Sequence, residues 1–144
     1  MKLKNRDGSV LAFVLVILSV FTIFAMSALH ITLTNTKQVT LQQNSIQAYY
    51  FAYSGAEIAY AALLKSDNNG KSILDTFQDG NIDMGPDEID IDGDGTDDVK
   101  VVVNYDSKKK SVLITSTGID NSSDKSTTLK MSFNVDYPTV KLWE

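Results

Sequence analysis

The chain has 144 residues, 43% of them hydrophobic, a formal net charge of −5 and no cysteine. The length admits one soluble domain plus a further segment. The acidic balance argues against nucleic acid as the main partner, and the lack of cysteine excludes a disulfide framework and thiol chemistry.

The apolar content is unevenly placed. Lys2, Lys4 and Arg6 form a short basic leader, residues 1–8, that ends at Gly8. From Ser9 to Leu29 there is no charge, and Val, Leu, Ile, Phe and Ala dominate. A helix needs about 20 apolar residues to cross a bilayer core, and this run is long enough. The first basic residue after it is Lys37. This asymmetry predicts a single span with the amino terminus cytoplasmic and the rest extracytoplasmic. A removable secretory signal has an apolar core of roughly 7 to 15 residues before its cut. Ala25 and Ser27 offer such a cut, but the run exceeds that length. A plain anchor leaves Gly8 unexplained, because Gly is a poor helix former standing where the span begins.

Residues 30–65 continue the helix, with no Pro and a single Gly. Leu41, Ser45, Ala48, Ala52, Ala56, Ala59 and Leu63 fall on one stripe at spacings of three and four. Small side chains there let another backbone approach closely, from the chain's own sheet or from another subunit's helix. Tyr49, Tyr50, Phe51, Tyr53 and Tyr60 are expected in the core under that sheet. His30 stands where the span meets water and reads as an interfacial residue.

A basic leader ending in Gly, then a small residue, then an unbroken apolar helix resembles the class III signal of type IV pilins and type II secretion pseudopilins. The tract AYYFAYSGAEIAYAAL, residues 48–63, is similar to the amino-terminal domain of PilX-type minor pilins at Ala48, Tyr49, Tyr50, Ala52, Gly55, Glu57 and Ala59. Phe51, Tyr53 and Ser54 depart from that pattern, Tyr53 replacing a customary Glu. The resemblance covers residues 1–64. It implies cleavage between Gly8 and Ser9 by a prepilin peptidase, with methylation. It also implies assembly with other pilin subunits and an assembly-platform membrane protein into a surface or periplasmic filament. The span, residues 9–29, would become the filament-core helix. Most members carry Glu as the fifth residue after the cut; here it is Phe13. An unpaired charge in an apolar stack is costly. Its absence implies a priming or tip subunit, with no neighbour above to pair with.

Residues 66–98 read as an acidic loop in which Lys71 is the one base between Ser66 and Asp98. Asp90, Asp92, Asp94 and Gly95 spell D-x-D-x-D-G. Alternate carboxylates on a tight turn converge on one point, and Ca²⁺ takes six to eight oxygens in such arrays. Thr96 is expected to add its carbonyl and Asp98 a carboxylate. The Glu at the twelfth position of an EF-hand is here Val101, so this is no EF-hand. Asp87, Glu88 or Asp97 are candidates for a further carboxylate. An acidic turn without an ion is the alternative.

Residues 99–144 read as strands. VKVVVNY and SVLITST flank the turn DSKKK, and TTLKMSFNVDY alternates Leu129, Met131, Phe133 and Val135 with polar residues. The tail after Pro138 reads as extended or loosely docked. The expected fold is α+β and pilin-like, a long amino-terminal helix packed on an antiparallel sheet of about three strands. With no Cys, one His and no phosphate loop, the chain does not read as an enzyme. Two functions remain open at this point. One is a minor pilin or pseudopilin. The other is a single-pass anchored Ca²⁺-binding or adhesive module that does not polymerise.

Overall fold

The computed structural model describes residues 7–66, 70–77 and 83–144, with the backbone alone for residues 7–9. The chain divides into two compact units, one up to Thr40 and one from Leu41 to Glu144. Helix α1 (Asp7–Leu64) begins in the first and ends in the second.

In the first unit α1 is uninterrupted, as expected of a stretch free of Pro. Its hydroxyls bond back to the helix itself. Ser19 donates to the Val16 carbonyl (2.7 Å), Thr22 to Leu18 (2.5 Å) and Ser27 to Ile23 (2.9 Å). The pattern continues at Thr32, Thr34, Thr36 and Thr40. Such back-bonding satisfies polar groups that would be costly in an apolar surrounding.

The second unit is an α+β head. Five strands run β1 (Asp83–Ile89), β2 (Val99–Asp106), β3 (Ser111–Asp120), β4 (Lys125–Asn134) and β5 (Tyr137–Trp143). They form an antiparallel meander in that order. The three expected strands are β2, β3 and β4, and β1 and β5 extend the sheet at its two edges. Both carry a Pro, which is tolerated in an edge strand. Pro86 sits at the irregularity between Met84 and Asp87, and Pro138 near the start of β5. Neither strand shows a clean alternation of apolar and polar residues. The stretch 66–98 is also more structured than a loop. Besides β1 it holds α2 (Ile73–Thr76), started by a capping box in which Ser72 and Asp75 bond reciprocally. This short turn seats Leu74 and Phe77 in the core, where Phe77 stacks on Tyr105 with ring centroids 5.6 Å apart.

One face of the sheet carries Val99, Val101, Val103, Tyr105, Val112, Ile114, Met131 and Phe133, all buried. Each fully buried side chain of this size contributes about 1.5–3 kcal/mol. The helix meets that face through its smallest residues. Ala48, Ala52 and Ala56 are 0% exposed, and Leu63 closes the stripe at 3%. Leu41 and Ser45, expected on the same stripe, are exposed. Contact begins at Ala48. Two glycines make it close. A Cβ on Gly55 would stand 2.3 Å from Val99 Cγ1, and one on Gly118 would stand 2.1 Å from the Ala48 carbonyl oxygen. So tight an interface has no room for large rings. Phe51 and Tyr60 reach the core only in part, and Tyr49, Tyr50 and Tyr53 are exposed rather than buried beneath the sheet.

Candidate functional site

Two features bear on function. The first is the apolar stretch of α1. By length and composition α1 can cross a membrane, and none of its apolar window is buried within the chain. Val10, Leu11, Phe13, Phe21, Phe24 and Leu33 all stand open, Phe13 at 66% exposure. Gly8 and Ser9 lie in the helical backbone. Residues 1–6 of the expected leader lie outside the described residues.

The second is the loop from Asp90 to Asp98 between β1 and β2. Its anchor is Asp98, 2% exposed. The Asp98 N–H donates to the Ile89 carbonyl (3.0 Å), and its carbonyl accepts from the Ile119 N–H (2.7 Å). With its backbone tied to the end of β1 and to β3, its carboxylate points into the loop. There Asp98 Oδ2 accepts from the Ile91 and Asp92 amides at 2.9 and 3.2 Å.

Asp90 accepts from the Gly93 amide through Oδ1 (2.7 Å) and from the Gly95 amide through Oδ2 (2.9 Å). Asp92 Oδ1 accepts from the Asp94 amide (3.0 Å). These bonds curl the loop until Asp90, Asp92 and Asp98 each present a carboxylate oxygen within 4.8 Å of the others. Among the described residues, none of the ion pairs involves these three. Backbone N–H groups are their counterweight.

Asp94 is not one of these three and bonds to Thr96, through that residue's hydroxyl and amide and not the carbonyl expected to serve a cation. Asp94 Oδ1 accepts from the Thr96 hydroxyl (2.5 Å) and amide (2.8 Å), and the hydroxyl first, then the amide, hold its carboxyl below the ordinary range. Of the further carboxylates, Glu88 faces Lys100 at 3.7 Å. Two residues escaped sequence reasoning. Asn121, from the β3–β4 turn, donates to Thr96 Oγ1 (3.0 Å), the Asp97 carbonyl (3.4 Å) and Asp98 Oδ1 (3.4 Å). Asp120, 2% exposed, accepts from the Ser122 hydroxyl (2.6 Å) and amide (3.1 Å) and from the Ser123 hydroxyl. The Ser122 hydroxyl first, then that of Ser123, pull its pKa down. The string DNSS had the composition of a turn, and only the register of β3 on β2 brings it beside the acidic loop.

Among family models, curated proteins and solved structures, nothing matches this chain.

Proposed function

We propose that the chain is a minor pilin or pseudopilin, a structural subunit of a type IV pilus or type II secretion-like filament. It enters the membrane through the first part of α1 with its amino terminus cytoplasmic and its head extracytoplasmic. A prepilin peptidase cuts between Gly8 and Ser9, and the same helix then assembles with other pilin subunits.

The observation that carries this reading is the division of α1. From Val10 to Leu33 large apolar side chains stand uncovered, whereas from Ala48 to Leu63 the helix is seated on a sheet by small residues. A patch of that size needs an apolar partner. Lipid supplies it before assembly, and neighbouring subunits supply it within a filament. Phe13, uncovered and uncharged, needs no amine from a subunit above it, which suits a priming or tip position.

The amino terminus tests the reading. The protein is extracted from membranes with and without prepilin peptidase, and its terminal peptide is identified by mass spectrometry. A product beginning at Ser9, formed with the peptidase alone, supports the proposal. An uncut Met1 in both samples, or a cut near Ser27, overturns it.

A second reading is favoured by the convergence of Asp90, Asp92 and Asp98. It makes the chain a single-pass anchored Ca²⁺-binding or adhesive module that does not polymerise. Ca²⁺ at this loop is compatible with both readings, so the terminus and not the ion separates them.

A further inference from the structure

We propose that β5 is a releasable clasp: it detaches as a unit while β1–β4 and the helix they carry stay folded, and its release uncovers the edge of β4. Three observations within the head support this. None of the seven residues of β5 is buried, whereas β2 and β3 bury every second residue and β4 buries Met131 and Phe133. Detachment therefore exposes little apolar surface that the core depends on.

The main-chain ladder to β4 is continuous from the Lys130–Glu144 pair, which exchanges two bonds of 3.0 and 2.8 Å, to Phe133–Lys141, and is interrupted beyond it. Asn134 pairs with Tyr137, and the next pair is Phe133 with Lys141. Pro138, Thr139 and Val140 are left out of register. β5 is also last in the sheet order, so it is bonded along one side only.

The ties to α1 come from a single stripe, Tyr53, Glu57 and Tyr60. Tyr53 stacks on Trp143 with centroids 4.9 Å apart. Lys141 Nζ donates to both Glu57 oxygens at 2.8 and 2.9 Å and lies 4.4 Å from the Tyr60 ring centroid. The Tyr60 hydroxyl donates to the Pro138 carbonyl at 2.9 Å. These contacts are part-buried, and all of them lie along the one stripe of α1 outside the buried residues of β2 and β3, so they can break together. The turn at Val135 and Asp136 stays fixed by Lys110, whose carbonyl accepts from the Val135 amide (2.9 Å) and whose ammonium pairs with Asp136 (3.0 Å). It serves as the pivot. What opens is the β4 edge beside the Tyr60–Phe133 ring pair.

Hydrogen exchange read by mass spectrometry on the full chain in detergent tests the clasp, because local opening and global unfolding protect amides differently. Amides of β5 are expected to exchange at least about tenfold faster than those of β2 and β3. Glu57→Gln is expected to speed β5 exchange by about fivefold and leave β2 and β3 unchanged, as fits loss of a partly exposed ion pair. Lys141→Gln should do the same from the other side of the pair, and the double variant should add nothing further. Exchange of β5 in step with β3 in the unaltered protein overturns the proposal. So does an equal acceleration of all strands in both variants.

Discussion

Gly118 of β3 lies directly beneath Ala48 of α1, so close that a Cβ on the glycine would stand 2.1 Å from the Ala48 carbonyl oxygen and 2.4 Å from the Ala52 nitrogen. Both obstacles are helix backbone, which cannot rotate away as a side chain would. The small stripe of α1 is therefore matched by a missing side chain on the sheet.

Gly118→Ala should consequently lift the helix off β3. Overpacking in a close interface typically costs 1–3 kcal/mol, and about 2 kcal/mol or more is expected here. Chemical denaturation of the full chain in detergent, followed by circular dichroism, measures it. A midpoint equal to that of the unaltered protein would show that the two backbones are further apart than described.

Ser116, next but one on β3, predicts the opposite sign. It is fully buried, and among the described residues its hydroxyl has no hydrogen-bond partner. A Cβ on Gly55 would come within 2.7 Å of that oxygen, so the hydroxyl is also part of the close contact. An unsatisfied buried polar group costs roughly 1–3 kcal/mol. Ser116→Ala should raise stability by about 1 kcal/mol, since methyl replaces hydroxymethyl without opening a large void. A fall in melting temperature would mean that the hydroxyl is bonded in solution.

Asp120 gives the head an acid-sensitive point. Its carboxylate is held by the Ser122 and Ser123 hydroxyls, which put its pKa below the ordinary 3.8. A carboxyl that binds its proton less tightly when folded stabilises the fold above its unfolded pKa. That contribution fades as pH falls through the lower, folded value. Asp120→Asn should thus be less stable than the unaltered protein at neutral pH and lose less on acidification below 3.8. Melting temperatures across that range test it, and parallel curves for the two proteins would remove Asp120 from the acid response.

Parts of this architecture were legible because they are long or because they repeat. The uncharged run from Ser9 to Leu29 was legible by its length, and the stripe from Ala48 to Leu63 and the alternation around Met131 and Phe133 each carry a period that only one secondary structure satisfies. The edges of the sheet were not legible. β1 carries Gly85, Pro86 and three acids, and β5 carries a Pro and lies on the surface, so neither buries one face and neither needs a period. The tyrosines misled for a related reason. Large rings suggest a core, but glycine and alanine had already claimed the helix–sheet interface and displaced Tyr49, Tyr50 and Tyr53 outward. At the loop, spacing alone placed Asp90, Asp92 and Asp98 together. It could not separate Asp94, whose turn with Thr96 is a local hydrogen-bond preference, nor find Asn121, which arrives from 23 residues beyond Asp98.

The loop also makes the sharpest prediction for the ion. Three carboxylates with oxygens within 4.8 Å of one another repel, and backbone amides offset this only in part. A divalent cation bound there would stabilise the folded head alone, because the unfolded loop does not hold the three together. With few protein oxygens the site belongs to the weak extracellular range, a dissociation constant on the order of 1 mM. At about 10 mM Ca²⁺ such a site adds roughly 1.4 kcal/mol by mass action. Thermal unfolding should shift upward by a few degrees on adding Ca²⁺ and return on chelation. Asp92→Ala should abolish the shift. It removes one ligand and frees a single loop amide, that of Asp94, which faces solvent. Asp94→Ala, outside the trio, should leave most of the shift intact. If Asp94→Ala abolishes it and Asp92→Ala does not, the cation sits on the other half of the loop. If the unaltered protein shows no shift, the amides suffice and the carboxylates serve to curl the chain between β1 and β2.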